Sequence, residues 1–172
     1  DSRSADYIFE NCYSLKSLDL SSFTMKLNSG IRNMFKNCSS LTSINLSHLD
    51  TSNFNYLTSM FENCEKLTSL DLSHFITSKI SDMSNMFYNC SSLAFVKLNF
   101  NTEKVQKMQN MFGNCNKLTS LNIRTFNTIN CKNFTDMFEN DDNLNLYINN
   151  ETCSNLIEQL PIYIKVHYII DN

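Results

Sequence analysis

Apolar residues recur along this chain in a fixed order. Phe9, Phe35, Phe61, Phe87, Phe112 and Phe138 stand 26, 26, 26, 25 and 26 residues apart. A leucine follows each by six: Leu15, Leu41, Leu67, Leu93, Leu118 and Leu144. Within a unit the apolar period changes. Leu67, Leu70 and Leu72 read L-x-x-L-x-L, and the last two alternate as one face of a short strand does. Toward the next unit, Ile80, Met83, Met86, Phe87 and Cys90 are spaced three, three, one and three. That spacing predicts one side of a helix. Each unit therefore reads as a strand, a turn, a short helix and a return.

A fixed period of this length marks a repeat array, and one coil cannot bury its own apolar face without neighbours. The predicted fold class is α/β: a right-handed leucine-rich-repeat solenoid of about six coils, with a parallel sheet on one face and short helices on the other. Residues 1–148 form the array, and residues 149–172 belong to the same domain as its C-terminal cap. There "ETCSNLIEQL" predicts a short helix that Pro161 ends. Ile162, Ile164, Val166, Tyr168 and Ile170 then alternate with Tyr163, Lys165, His167 and Ile169, which predicts a last strand. The first coil has no comparable cap. Its edge can pair with another copy, end to end, or with further repeats. The opening "DSRSADYIFENC" carries no leader and already lies inside the pattern, as a piece of a longer array would.

Polar residues keep the same register. Asn11, Asn37, Asn63, Asn89, Asn114 and Asn140 follow each anchor Phe by two, and Cys12, Cys38, Cys64, Cys90 and Cys115 by three, with Asp141 in the sixth slot. Two glycines and one proline leave the turns to other residues, and Asn tolerates left-handed backbone. The asparagines either end the helices in that conformation or form a side-chain ladder. Asn37 and Asn89 also read as glycosylation sequons, but a tight turn beside the core is a poor place for a glycan. The cysteines lack the close pairing of a zinc site, and like residues on neighbouring coils sit too far apart for disulfides. They read as small buried hydrophobes, as does Cys131, while Cys153 is expected to be the reactive one. The structural ladder is thus Phe35, Phe61, Phe87 and Phe112 with their Asn and Cys partners. Met34, Met60, Met86, Met111 and Met137 read as core filling, and Thr51, Thr77, Thr102 and Thr128 as helix caps.

The consensus M-F-x-N-C-x-x-L-x-S-L-D-L-S-x-F, as in Met60 to Phe75, resembles the BspA-like leucine-rich-repeat surface proteins over roughly residues 7 to 148. That resemblance implies a cell-surface or secreted setting, and adhesion to host or matrix proteins. The fourth unit departs by losing one residue, so that Phe100 comes early, and the sixth decays after Phe138.

The outward strand positions form columns on the candidate concave face: Ser17, Ser43, Ser69, Phe95 and Ser120; Asp19, Asn45, Asp71, Lys97 and Asn122; Ser21, Ser47, Ser73, Asn99 and Arg124. Most read as solvated strand residues. Phe95, Lys97 and Arg124 break the neutral pattern together, as a contact would. The expected function is a non-catalytic protein-binding module, with a structural spacer as the alternative. Composition narrows the rest. The net charge is −3 with no basic run, which argues against a nucleic-acid partner. No stretch nears the roughly 18 apolar residues of a membrane span. His48 and His74 lie one repeat apart, but no third ligand column joins them, so no metal and no cofactor are implied. Identical residues repeated in columns are the opposite of one asymmetric catalytic site.

Overall fold

A computed structural model describes residues 5–22 and 30–169. Its strands are short: β1 (Ser17–Asp19), β2 (Ser43–Asn45), β3 (Ser69–Asp71), β4 (Phe95–Lys97), β5 (Ser120–Asn122), β6 (Asn145–Ile148) and β7 (Lys165–Tyr168). All pairing is parallel and keeps the repeat register, with Ser17 opposite Ser43, Ser69 opposite Phe95 and Ser120 opposite Asn145. The six repeats are therefore stacked, like residue upon like residue.

The sheet is divided. β1 pairs with β2, β3 with β4, and β5 with β6 and β7. One break has a local cause. The residue missing from the fourth unit lies between Lys97 and Phe100, so the chain leaves β4 one step early and does not pair with β5. At the other, the His74 ring nitrogen lies 2.8 Å from the Leu46 carbonyl oxygen, on the exit from β2.

The predicted helices of the array do not form. Among the described residues the one α-helix is α1, Ser154–Ile157, in the tail. The reason lies in the backbone. Each coil carries two residues at positive φ, four apart: Tyr7 and Asn11, Asn33 and Asn37, Ser59 and Asn63, Asn85 and Asn89, Asn110 and Asn114, Asp136 and Asn140. Left-handed residues break a right-handed helix. Between them the main-chain donors alternate. Ser59, Phe61 and Asn63 donate to the next coil, at Ser84, Met86 and Tyr88, while Met60, Glu62 and Cys64 donate three residues back. The coil corner is thus a run of tight turns laced to its neighbour. Every second N–H there serves the stack, which a helix would have kept for itself.

The core is columnar. The anchor phenylalanine rings stack with centroids 5.2–5.8 Å apart from Phe9 through Phe138, within the range of favourable offset stacking. The methionine column and Leu41, Leu67, Leu93, Leu118 and Leu144 are buried with them. In the tail, β7 pairs with β6, and Leu156 of α1 is buried against the core. Ile170 lies outside the described residues.

Candidate functional site

The ladder residues are structural. Asn37 donates its side-chain amide to Asn11 at 2.7 Å, Asn63 to Asn37 at 2.7 Å, Asn89 to Asn63 at 3.0 Å and Asn140 to Asn114 at 2.8 Å. All six also sit at φ near +60°, so the left-handed turn and the side-chain ladder occur at the same residue. The cysteines are free thiols. Cys38, Cys64, Cys90 and Cys115 donate to the carbonyls of Phe9, Phe35, Phe61 and Phe87 at 3.1–3.2 Å. Burial pushes the Cys38 thiol up to about 11, with its Cys12 neighbour adding to the shift, and raises those of Cys64, Cys90 and Cys115 too. Such thiols are inert.

Two residue classes take other roles than expected. The threonines do not cap helices. Thr51, Thr77, Thr102 and Thr128 are buried and donate to main-chain carbonyls of the next coil, at Ile76, Asn101, Asn127 and Thr152. Cys153 is not the exposed thiol. It is fully buried, its Sγ donates to Phe126, and burial raises its pKa. Cys12, half-buried on the first coil, is the most accessible.

The outward columns divide in the same way. Asp19, Asn45, Asp71 and Asn122 each accept a hydrogen bond from the main-chain N–H two residues on, at Ser21, Ser47, Ser73 and Arg124. They close the turn out of the strand. The Ser21 N–H foremost holds the Asp19 carboxyl below the usual range, and the Ser73 hydroxyl foremost does so for Asp71. This column therefore has a structural task that the columns alone did not reveal. Lys97 is its exception, since an ammonium cannot accept. It instead lies 3.4 Å from the Asp71 carboxylate, in an exposed pair.

The fourth coil consequently differs in three ways at one place. Phe95 stands 57% exposed between Ser69 and Ser120. Lys97 replaces the turn acceptor, and the strand exit is one residue short. These features open a depression of about 590 Å³ lined by Phe95, Lys97, Asn122 and Arg124, with Ser73 and Ser120 among its small neighbours. That volume suits a ligand group or an anchoring side chain. Leu98, Asn99 and Thr125 also line it, and the missing residue was the signal for them. Asp19 and Asn45 lie apart, in a hollow of about 280 Å³ with Ser17 and Ser43. The tail extends the same face: the rings of Tyr147 and His167 stack with centroids 4.7 Å apart.

His74 is engaged with Leu46 and edge-on to Phe75. Among the described residues no group of three or more His, Cys, Asp or Glu is placed to hold a metal ion, and no helix is long and apolar enough to cross a membrane.

Parallel strands of three or four residues, one per repeat, on an L-x-x-L-x-L frame define a leucine-rich-repeat fold. The chain belongs to the family described as "Mycoplasma protein of unknown function, DUF285", which it matches over residues 3–97 and 71–162. It is similar in structure to a leucine-rich cell surface protein from Faecalibacterium prausnitzii A2-165, with a TM-score of 0.55 and 22% identity over 81% of this chain and 34% of that one. A leucine-rich-repeat protein from Bacteroides ovatus ATCC 8483 aligns at a TM-score of 0.39 and 20% identity, over 83% of this chain and 41% of that one. This chain thus spans well under half of either structure. No curated protein matches it.

Proposed function

We propose that this chain is a non-catalytic protein-binding module of a surface or secreted protein, of the BspA-like kind, and that adhesion to a host or matrix protein is its task. The observation that carries the reading is the depression at the fourth coil. Three departures from the repeat coincide there, and one of them, Lys97, gives up the turn-closing acceptor of its column. Departures of that kind mark function more often than accident. Aromatic residues and Arg are also among the side chains enriched at protein interfaces. The coils wind as a right-handed solenoid, because parallel strands joined by crossovers take that hand. Residues 1–148 form the array and 149–172 close its end within one domain. The first coil, with Tyr7, Ile8 and Tyr13 exposed, supports end-to-end contact with further repeats.

The chain, immobilised, should bind at least one member of a panel of purified matrix proteins saturably. Phe95→Ala combined with Lys97→Ala should abolish that binding with no change in melting temperature. A second reading, a spacer that holds other domains apart, is favoured by the first three coils, whose outward positions are serines and turn acceptors. Absence of saturable binding across the panel selects the spacer.

A further inference from the structure

We infer that the depression at the fourth coil takes an acidic segment of a partner protein, with a carboxylate set against Lys97 and Arg124 and an apolar side chain against Phe95. The inference rests on the protein-binding reading of that site and adds the chemistry of the partner.

The argument starts from what the repeat places there when nothing is bound. The position of Lys97 is held by Asp or Asn in β1, β2, β3 and β5, and that of Arg124 by Ser in the first three coils. Two cations thus replace one turn acceptor and one small hydroxyl, on adjacent coils, at the rim of one hollow. Neither is consumed by the fold. Among the described residues Arg124 has no ionic partner, and its main-chain N–H is already satisfied by Asn122. Lys97 is held only by Asp71, with both side chains more than half exposed. Exposed pairs of that kind contribute roughly 0–1 kcal/mol, so a ligand carboxylate can compete for the ammonium. A guanidinium left unpaired is the better anchor, because it can grip a carboxylate through two parallel hydrogen bonds.

The remaining walls fix the rest of the chemistry. Phe95 rises beside Ser69 and Ser120, so one side of its ring overlooks the hollow floored by small polar residues. A ligand of charge alone would leave that ring unused, and a purely apolar one would leave the Arg124 guanidinium desolvated and unpaired. One acidic side chain, Asp71, stands at the rim and is held in the exposed pair with Lys97, and the other acidic side chains nearby lie further off. Asp19 is at the far end of the face, and Glu103 lines a separate hollow beyond Asn99 and Thr125. The face therefore carries Asp19 and Asp71 on its first three coils, and Lys97, Arg124 and Lys165 further along. An acidic segment is drawn to the later half and repelled from the first.

The test uses the full chain and two fluorescein-labelled dodecapeptides, one alternating Glu with Phe and one alternating Gln with Phe, read by fluorescence anisotropy at low ionic strength. The substitutions Phe95→Ser, Lys97→Asn and Arg124→Ser restore residues that the repeat itself uses, and melting curves check that each variant folds. The Glu–Phe peptide should bind at least about tenfold tighter than the Gln–Phe peptide, and salt should erode that preference. The Lys97→Asn/Arg124→Ser pair should bring the ratio near one, and Phe95→Ser should weaken both peptides. Equal binding of the two peptides, lost only in Phe95→Ser, overturns the acidic specificity while leaving the protein-binding reading intact. Heparin binding that the double reversion abolishes, with no peptide binding, overturns both in favour of an acidic glycan. Failure of all three probes overturns the acidic inference, and the matrix-protein panel then decides the wider reading by itself.

Discussion

The thiol of Cys64 donates a 3.2 Å hydrogen bond to the main-chain carbonyl of Phe35, twenty-nine residues earlier and one coil away. The same bond joins Cys38 to Phe9, Cys90 to Phe61 and Cys115 to Phe87. It ties an apolar column to a backbone column at each junction.

Native thiols should divide into two groups. Cys12 should react first with a thiol reagent, while Cys38, Cys64, Cys90, Cys115 and Cys153 stay silent until the chain unfolds. More than about two fast-reacting thiols would contradict the buried ladder. Cys64→Ala removes the thiol donor from the Phe35 carbonyl, which keeps the Cys38 N–H, and opens a small void, at about 1 kcal/mol by chemical denaturation.

Asn63 performs two tasks that substitution can separate. Asn63→Gly keeps the left-handed backbone and loses the bonds to Asn37 and Asn89. Asn63→Ala loses both. The Ala variant should be the less stable of the two by about 1 kcal/mol, measured by urea titration, and the reverse order would sink the assignment.

Thr102 donates to the Asn127 carbonyl and accepts from the Asn127 N–H, both at 2.8 Å. Thr102→Val preserves shape and leaves both groups unpaired in the core. The expected loss is about 2–3 kcal/mol, and Thr102→Ser should recover most of it. A neutral Thr102→Val would show that the hydroxyl column does not hold the coils together.

Asp141 occupies the cysteine slot of the last coil, with 2% of its surface exposed and neither carboxyl oxygen hydrogen-bonded. Burial pushes its pKa up to about 7, and the Asp142 charge adds to the rise. The folded chain therefore holds a proton that the unfolded chain, at an ordinary carboxylate pKa, releases. Its contribution is greatest below about pH 4 and is lost as pH rises to about 7, up to a magnitude on the order of 4 kcal/mol. Melting temperature should fall across that window and level off above it. Asp141→Cys should flatten the slope and raise stability at pH 8. An unchanged slope would place the titration elsewhere.

Much of this architecture was legible in the sequence, for physical reasons. Phe, Cys, Met and Leu at one period have a single way to be buried together, so the columns could be read directly. The corner could not. Ile80, Met83 and Met86 stand three apart both on a helix and in successive turns that bond three residues back. What distinguishes the two is left-handed backbone. One of its columns is always Asn; the other, Tyr7, Asn33, Ser59, Asn85, Asn110 and Asp136, is mostly Asn, Asp and Ser but changes from coil to coil, so it does not stand out as a column. The threonine hydroxyls were misassigned because their acceptor is a carbonyl of another coil, about 25 residues away. At the face, the exception at Phe95, Lys97 and Arg124 was visible. The turn-closing role of Asp19, Asn45, Asp71 and Asn122 was present in the D-x-S and N-x-S spacing of the first three, but was hidden by reading the columns across coils and not along the chain.

The central claim is that like residues of successive repeats lie against one another. Nuclear Overhauser contacts of the Phe61 ring, in a chain labelled only at phenylalanine, test it most directly. The structure predicts contacts to Phe35 and Phe87, whose ring centroids lie 5.6 and 5.8 Å away. A Phe61 ring that meets neither of them would contradict the stack and everything built upon it.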